Sequence, residues 1–414
     1  MPPPAFCLLL AHACQLWMLC ILETIGLKPK AENLPTVSTN FALSGSDNPR
    51  LTNMIPYLNE VLFCVGVYSL GLLLTIAIST IFTATFDYDN KHVIVTGGSS
   101  GIGLECAKLY AGKGANVTIV ARDKVKLDNA LAEIRACQLD GRRAMSVSVD
   151  TGSDQVTVDA ALSECLRDFG PADVLVNCAG TSIAGEFDKL ATTEFERMMR
   201  TNLLGSVYPT RAIIEGMKMK GNGRIVFVSS QVGQAAIHGF TAYAASKWAL
   251  RGLAEAIQME VKPHGILVSV SYPPDTDTPG YKEEMKTKLE LTKKLSESGS
   301  VFTAAVVAKD IVKYSAKGYF CISTGLDGWL LKQVHPGMSP INNIWEVAQG
   351  ILFGPICKII AVFYILGWQW ECQNYSKKQK NAVEVVTDSH KNQKTPSKGV
   401  PTMRVTRNSA KKVL

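Results

Sequence analysis

Apolar and polar positions change rhythm several times along the chain. Ala5 to Leu22 is a first apolar run, interrupted by His12 and Gln15 and without an early basic region. It is compatible with a signal peptide, a second span or an interfacial segment. Residues 28–58, rich in Pro, Asn, Ser and Thr, read as a linker. Val61 to Phe82 then runs for 22 residues without a charge. At ~1.5 Å per residue this stretch reaches ~33 Å, enough to cross a hydrocarbon core. From His92 to about Thr324 the pattern is different. Short β-branched runs (HVIVT, NVTIVAR, AMSVSV, DVLVN, RIVFVSS, ILVSVSY) alternate with stretches such as Asp123 to Cys137 and Asp154 to Phe169, whose apolar residues recur at helical spacing. A third apolar run, Ile351 to Trp370, contains Pro355 and Lys358. A charge near mid-span is costly, so a re-entrant or surface-lying helix competes there with a true span.

Near-continuous apolar strands separated by helices indicate a parallel sheet covered on both faces. The expected fold is therefore α/β, a doubly wound, Rossmann-like parallel sheet with hydrophobic membrane-associating segments at both ends. The expected division is an apolar segment and linker over 1–60, a transmembrane helix over 61–82, a catalytic domain over 91–335, a C-terminal hydrophobic segment over 348–370 and a basic disordered tail over 375–414.

Charge refines this division. The net charge is +7, but from Tyr375 to Leu414 ten Lys or Arg face only Glu384 and Asp388, so the tail carries +8 and the remainder −1. A basic balance confined to a tail points to anionic lipid headgroups rather than nucleic acid. The 11 cysteines are odd in number and lack a C-x-x-C pair, which argues for buried thiols in a reducing compartment rather than a disulfide framework. No metal site is expected.

Candidate chemistry begins where HVIVT runs into GGSSGIG. Gly97, Gly101 and Gly103, with Ser99, Ser100 and Ile102 between them, allow a tight turn whose amides approach a pyrophosphate at a helix N-terminus. At the tip of the second strand, where a carboxylate would accept the ribose hydroxyls of NAD, stands Arg122, with Lys126 four residues on. A guanidinium suits a 2′-phosphate and favours NADP(H), although Asp123 follows at once. Asp150 ends the third strand, placed to accept from an adenine amine. Tyr243 and Lys247 in YAASK share one helix face. For a phenol of pKa ~10 to act near neutral pH, ~4 kcal/mol of preferential phenolate stabilisation is needed. Lys247 and an oxidised nicotinamide are the expected sources.

T-G-x-x-x-G-x-G from Thr96 to Gly103, N-C-A-G from Asn177 to Gly180 and Y-x-x-x-K from Tyr243 to Lys247 together resemble the short-chain dehydrogenase/reductase family over roughly residues 91–280. The resemblance implies Tyr243 as acid/base, Lys247 as its partner, Ser230 (with Ser229 in reserve) as the hydroxyl that steadies the carbonyl oxygen, and Asn202 as a residue holding a water that links Lys247 to solvent. Asn177 is expected beside the cofactor. The stretches GRIVFVSSQVGQ, GFTAYAASKWALRGLAEAIQMEVKP and YPPDTDTPG are similar to members that reduce a long-chain lipid ketone, a β-keto amine of sphingolipid synthesis, with NADPH at the endoplasmic-reticulum membrane. Competing expectations are a membrane-bound reductase of steroids, retinoids or 3-ketoacyl-CoA, and a non-catalytic NADP-binding scaffold. His238 is expected as a structural or substrate-wall residue, and Lys282 to Ser298 as a mobile lid. The terminal KKVL resembles a dilysine retrieval signal, which would put the catalytic domain on the cytosolic side. A homo-oligomer is compatible with the chain.

Overall fold

The computed structural model describes residues 66–67, 71, 85–296, 300–335, 337, 339–341 and 343–392, with backbone alone beyond 379. The expected N-terminal segment, the expected span at 61–82 apart from three residues, and the KKVL terminus lie outside the described residues.

The chain enters β1 (His92–Thr96), the glycine turn and α1 (Gly101–Ala111), then β2 (Asn116–Ala121), α2 (Lys124–Ala136), β3 (Ala144–Ser148), α3 (Gln155–Phe169) and β4 (Val174–Asn177). A short α4 (Thr192–Met198) runs through a π-helical turn, Met199–Leu204, into α5 (Gly205–Lys220). Next come β5 (Gly223–Val228), the long α6 (Thr241–Val261), β6 (Ile266–Tyr272), β7 (Thr276–Asp277), α7 (Pro279–Thr287), α8 (Glu290–Ser296), β8 (Phe302–Thr303), α9 (Ala304–Ala316), β9 (Cys321–Ser323), α10 (Gly325–Val334) and α11 (Ile344–Asn392).

Seven parallel strands form one sheet in the order β3-β2-β1-β4-β5-β6-β9. The six expected runs are its first six strands. The three-residue β9 is too short to show a period of its own and exists by pairing with β6. Every residue of β1, β4 and β5 is buried, as a strand covered on both faces must be. One face packs on α1, α2 and α9 through residues such as Tyr110, Ile134 and Ile311, the other on α3, α5 and α6 through Leu162, Ile213 and Leu250. Helix starts follow the local chemistry. Asp123 and Asp154 cap α2 and α3, accepting from the amides of Lys126 at 3.1 Å and Thr157 at 2.9 Å. The strand order reverses between β1 and β4, and a doubly wound sheet binds its ligand outside the carboxyl ends at that point.

One expectation changes and another gains detail. The segment Lys282 to Ser298, expected as a lid, is helical over α7 and α8 as far as it is described, up to Ser296, and Lys288 at its centre is buried between Asp275 at 3.2 Å and Glu284 at 3.3 Å. The C-terminal run continues without a break through Pro355 to Asn392, so residues 375–392 of the expected disordered tail are helix. Contacts with the domain support that extension. Glu371 pairs with Lys294 at 2.6 Å, Tyr375 packs edge-on against His238, and Gln379 reaches Glu186 at 3.4 Å. α11 is the one described helix long and apolar enough to cross a membrane.

Candidate active site

The first βα turn is shaped by its glycines. Gly97 has φ +68°, and a Cβ there would stand 2.8 Å from the amide nitrogen of Ala179. Gly103 is packed so closely that a Cβ would strike the carbonyl oxygen of Gly97. Gly101 has φ +56° and faces Thr278, which arrives from the loop after β6. Half-buried Ser99, Ser100 and Ile102 complete the turn. Ser100 precedes α1 without a side-chain cap, leaving the first amides of that helix free of a side-chain acceptor. A pyrophosphate at a helix N-terminus needs such donors and such a lack of side chains, so the turn fits a dinucleotide.

Thr96 ties this turn to the neighbouring loop by accepting from the amides of Cys178 and Ala179, each at 3.1 Å. Asn177 is buried, and its Nδ2 donates to Thr210 Oγ1 at 3.0 Å, so it joins β4 to α5 beneath the site. At the tip of β2, Arg122 is exposed, and among the described residues no ion pair engages its guanidinium. Asp123 is committed to capping α2, and Lys126 lies 3.8 Å from it. Asp150 accepts from the amide of Gly152 at 2.9 Å, closing its own turn.

The two serines after β5 separate cleanly. Ser229 is buried and donates to the carbonyl of Lys247 at 2.9 Å, which fixes α6 to the strand. Ser230 is half-buried, lines a cavity and lies near enough to the phenol of Tyr243 to lower its pKa. Lys247 lies one turn below Tyr243 on α6. Its ammonium donates to Val228 O at 2.8 Å and stands 5.9 Å from the tyrosine ring centroid. Burial lowers the Lys247 pKa to about 8.

The phenol departs from expectation. Its pKa is raised, first by burial and then by the charges of Glu284 and Asp275, while the hydrogen bond from Ser230 pulls it down. Lys247 is not among the causes. The protein by itself therefore holds Tyr243 protonated. Burial is the main reason, and the acidic pair from the loop after β6 and α7, which no local pattern around YAASK announces, adds to it.

Asn202 sits in the π-helical turn, a distortion that favours functional sites because it re-aims one side chain. Its Oδ1 accepts from Thr181 N at 2.8 Å, and its Nδ2 donates to Thr181 O at 2.9 Å and Ser246 Oγ at 2.8 Å. Ser246 in turn donates to Tyr243 O at 2.7 Å. The Asn202 side chain thus braces α6 and the loop after β4. Gly180 lies between it and Lys247, since a Cβ there would be 3.2 Å from Asn202 Oδ1 and 3.3 Å from Lys247 Nζ. No motif marks Thr181 or Ser246, which are signalled only by their position next to motif residues, while Asp275 and Thr278 lie in the YPPDTDTPG stretch and Glu284 and Lys288 in the segment expected as a lid. His238 packs on Tyr375, outside the hydroxyl cluster.

Known proteins agree with this geometry. The family described as short chain dehydrogenase matches residues 91–289. A Danio rerio protein named 3-dehydrosphinganine reductase is 48% identical over 67% of this chain and 84% of its own length. A Mus musculus protein named 3-ketodihydrosphingosine reductase is 44% identical over 74% of this chain and 92% of its own. Among solved structures, a short-chain dehydrogenase from Streptomyces avermitilis is 29% identical, covering 58% of this chain and 90% of that one with a TM-score of 0.51. With a glycine turn at the switch point and a serine, tyrosine and lysine converging at the same sheet edge, the chain belongs to the short-chain dehydrogenase/reductase family.

Proposed function

We propose that the protein reduces 3-ketosphinganine to sphinganine with NADPH at the endoplasmic-reticulum membrane, its catalytic domain on the cytosolic side. The observation that carries this reading is the approach of Ser230 to the Tyr243 phenol with Lys247 behind it, in a chain whose relatives bear the name of that reductase.

NADPH supplies a hydride to the carbonyl carbon. Everything else falls to this chain's side chains. The Ser230 hydroxyl donates to the substrate oxygen as negative charge builds there, an interaction stronger in the transition state than in the ground state. Tyr243 delivers the proton to that oxygen. Its raised pKa keeps it in the acid form that reduction requires. Lys247 places a cation behind the phenol as it turns into phenolate. Asn202, through Thr181 and Ser246, holds the helix and loop that carry these groups. Choice of NADPH over NADH rests on Arg122, which is exposed and free of ion pairs among the described residues, while its acidic neighbour Asp123 is occupied as a helix cap. Membrane association rests on α11.

The test is incubation of membranes carrying the protein with 3-ketosphinganine and NADPH, with sphinganine as the expected product. Tyr243→Phe should reduce turnover by roughly 10²–10⁴-fold, the usual worth of a positioned acid, while NADPH binding persists. Brisk reduction of a steroid ketone with no sphinganine formed would refute the substrate. Unchanged activity in Tyr243→Phe would favour the scaffold reading.

A further inference from the structure

A cavity of about 300 Å³ starts at Ser230 and leads away from the hydroxyl cluster toward the C-terminal helix. Its near end is formed by Ser230 and by Phe240, whose ring packs 5.4 Å from that of Tyr243. Its middle is lined by Leu330, Leu331 and Val334 of α10. Its far wall is α11 itself, through Cys357, Ala361, Tyr364 and Trp368. These four positions are spaced i, i+4, i+7 and i+11, so they form one stripe along a helix.

A second stripe on the same helix has the same spacing, displaced by two residues: Ile359, Phe363, Leu366 and Trp370. These are 60%, 71%, 55% and 59% exposed. Two residues are about 200° of helical rotation, so the stripes lie on opposite faces. One lines the cavity, with Cys357 buried and Tyr364 still 43% exposed, whereas the other presents large apolar side chains outward, as a helix embedded beside lipid does. Ion pairs hold the helix on either side of the cavity stretch, Glu346 with Lys332 at 2.7 Å and Glu371 with Lys294 at 2.6 Å. The wall is fastened to the catalytic domain, not merely adjacent to it.

We propose that α11 is part of the substrate site as well as a membrane attachment: its inner stripe and α10 enclose the unbranched alkyl chain of the lipid ketone whose carbonyl sits at Ser230 and Tyr243. This deepens the reading of the site as a reductase of long-chain β-keto amines and rests on it. The occupant follows from where the cavity begins. A chain attached to a carbonyl held at Ser230 can enter this cavity, whose lining is mostly apolar although Asp275, Asp327 and Lys358 also reach it, and the volume falls at the small end of the range for ligand pockets, as one narrow chain requires. Lipid against the outer stripe and substrate against the inner one are then separated by the thickness of a single helix.

The experiment uses the full chain and a homologous series of β-keto amines short enough to be monomeric in buffer. Each methylene buried in the cavity should raise kcat/KM by about fourfold, the ratio equivalent to ~0.8 kcal/mol per CH₂, until the cavity is filled. Ala361→Trp, which fills the cavity from α11, should bring the plateau at a shorter chain. Phe363→Ala, on the outer stripe, should keep the wild-type series. An identical series in Ala361→Trp would overturn the proposal. A second measurement does not depend on turnover or on that variant folding. A β-keto amine with a diazirine at the chain end should photolabel Ala361, Tyr364 or Leu331 in the wild-type protein, and excess unlabelled compound should suppress the labelling. Label confined to Ile359, Phe363 and Leu366 would overturn the proposal as well. If no β-keto amine is reduced yet the inner stripe is labelled competitively, the activity fails and the chain pocket stands.

Discussion

Gly180→Ala adds one methyl group at the point where three parts of the site meet. The glycine does not have a positive φ, so backbone strain plays no part and space alone decides. The new carbon would stand 3.2 Å from Asn202 Oδ1 and 3.3 Å from Lys247 Nζ, a few tenths of an ångström closer than comfortable contact. Neither neighbour is free to retreat. Asn202 Oδ1 is held by Thr181 N at 2.8 Å and Lys247 Nζ by Val228 O at 2.8 Å. Forced overpacking costs ~1–3 kcal/mol, and displacements this small belong at about 1 kcal/mol. In a domain of this size that lowers Tm by roughly 2–4 °C. Activity should suffer more than stability. A misplacement of ~1 Å costs about 10²-fold in rate, so a few tenths of an ångström at the ammonium should cost ~10-fold in kcat/KM. The methyl also covers the ammonium further and should move the Lys247 pKa below its value of about 8. Steady-state reduction across pH, paired with thermal unfolding, measures all three effects. Wild-type kcat/KM with an unmoved pH limb would refute the argument that the missing side chain at 180 is what accommodates Lys247.

Other consequences can be checked directly. Because the Lys247 ammonium loses its proton near pH 8 in the free protein, kcat/KM for reduction should fall above about pH 8, and Lys247→Arg, whose guanidinium stays charged, should lack that limb; a limb of the same midpoint in both proteins would assign it elsewhere. Arg122→Asp should erode the preference for NADPH over NADH, and an unchanged ratio would mean that another group holds the 2′-phosphate. His92 is buried between Gly170 O at 2.8 Å and Thr118 Oγ1 at 3.0 Å, and its pKa falls from 6.5 to about 4. The unfolded chain takes up this proton first as pH drops, so the stabilisation is complete above 6.5 and lost progressively toward 4. About 3 kcal/mol is at stake, from ~1.4 kcal/mol per pKa unit. Denaturant unfolding of wild type and His92→Gln across that window should show a shallower decline in the variant, and parallel curves would exclude His92 as the cause.

The sequence by itself determined the sheet, the order of its elements and the residues at its chemical edge. Those features depend on short-range rules. Strand burial shows as unbroken β-branched runs, helix starts as Asp123 and Asp154, and the phosphate turn as glycines at fixed spacing. Only tertiary structure decided which of two adjacent serines faces the cavity, because that depends on Ser229 finding the carbonyl of Lys247 on another element. It also decided that Tyr243 rests as an acid, since the packing that buries the phenol, and then the charges of Glu284 and Asp275 from elements farther along the chain, raise its pKa. The same holds for Asn202, whose side chain meets Thr181 and Ser246, and for α11, whose apolar composition read as membrane attachment while one of its two faces lines a cavity that Ser230 also lines. Periodicity tells which side chains share a face. What that face meets is set by long-range packing, and at this site the packing sets the charge, the aim of the hydroxyls and the room for a substrate.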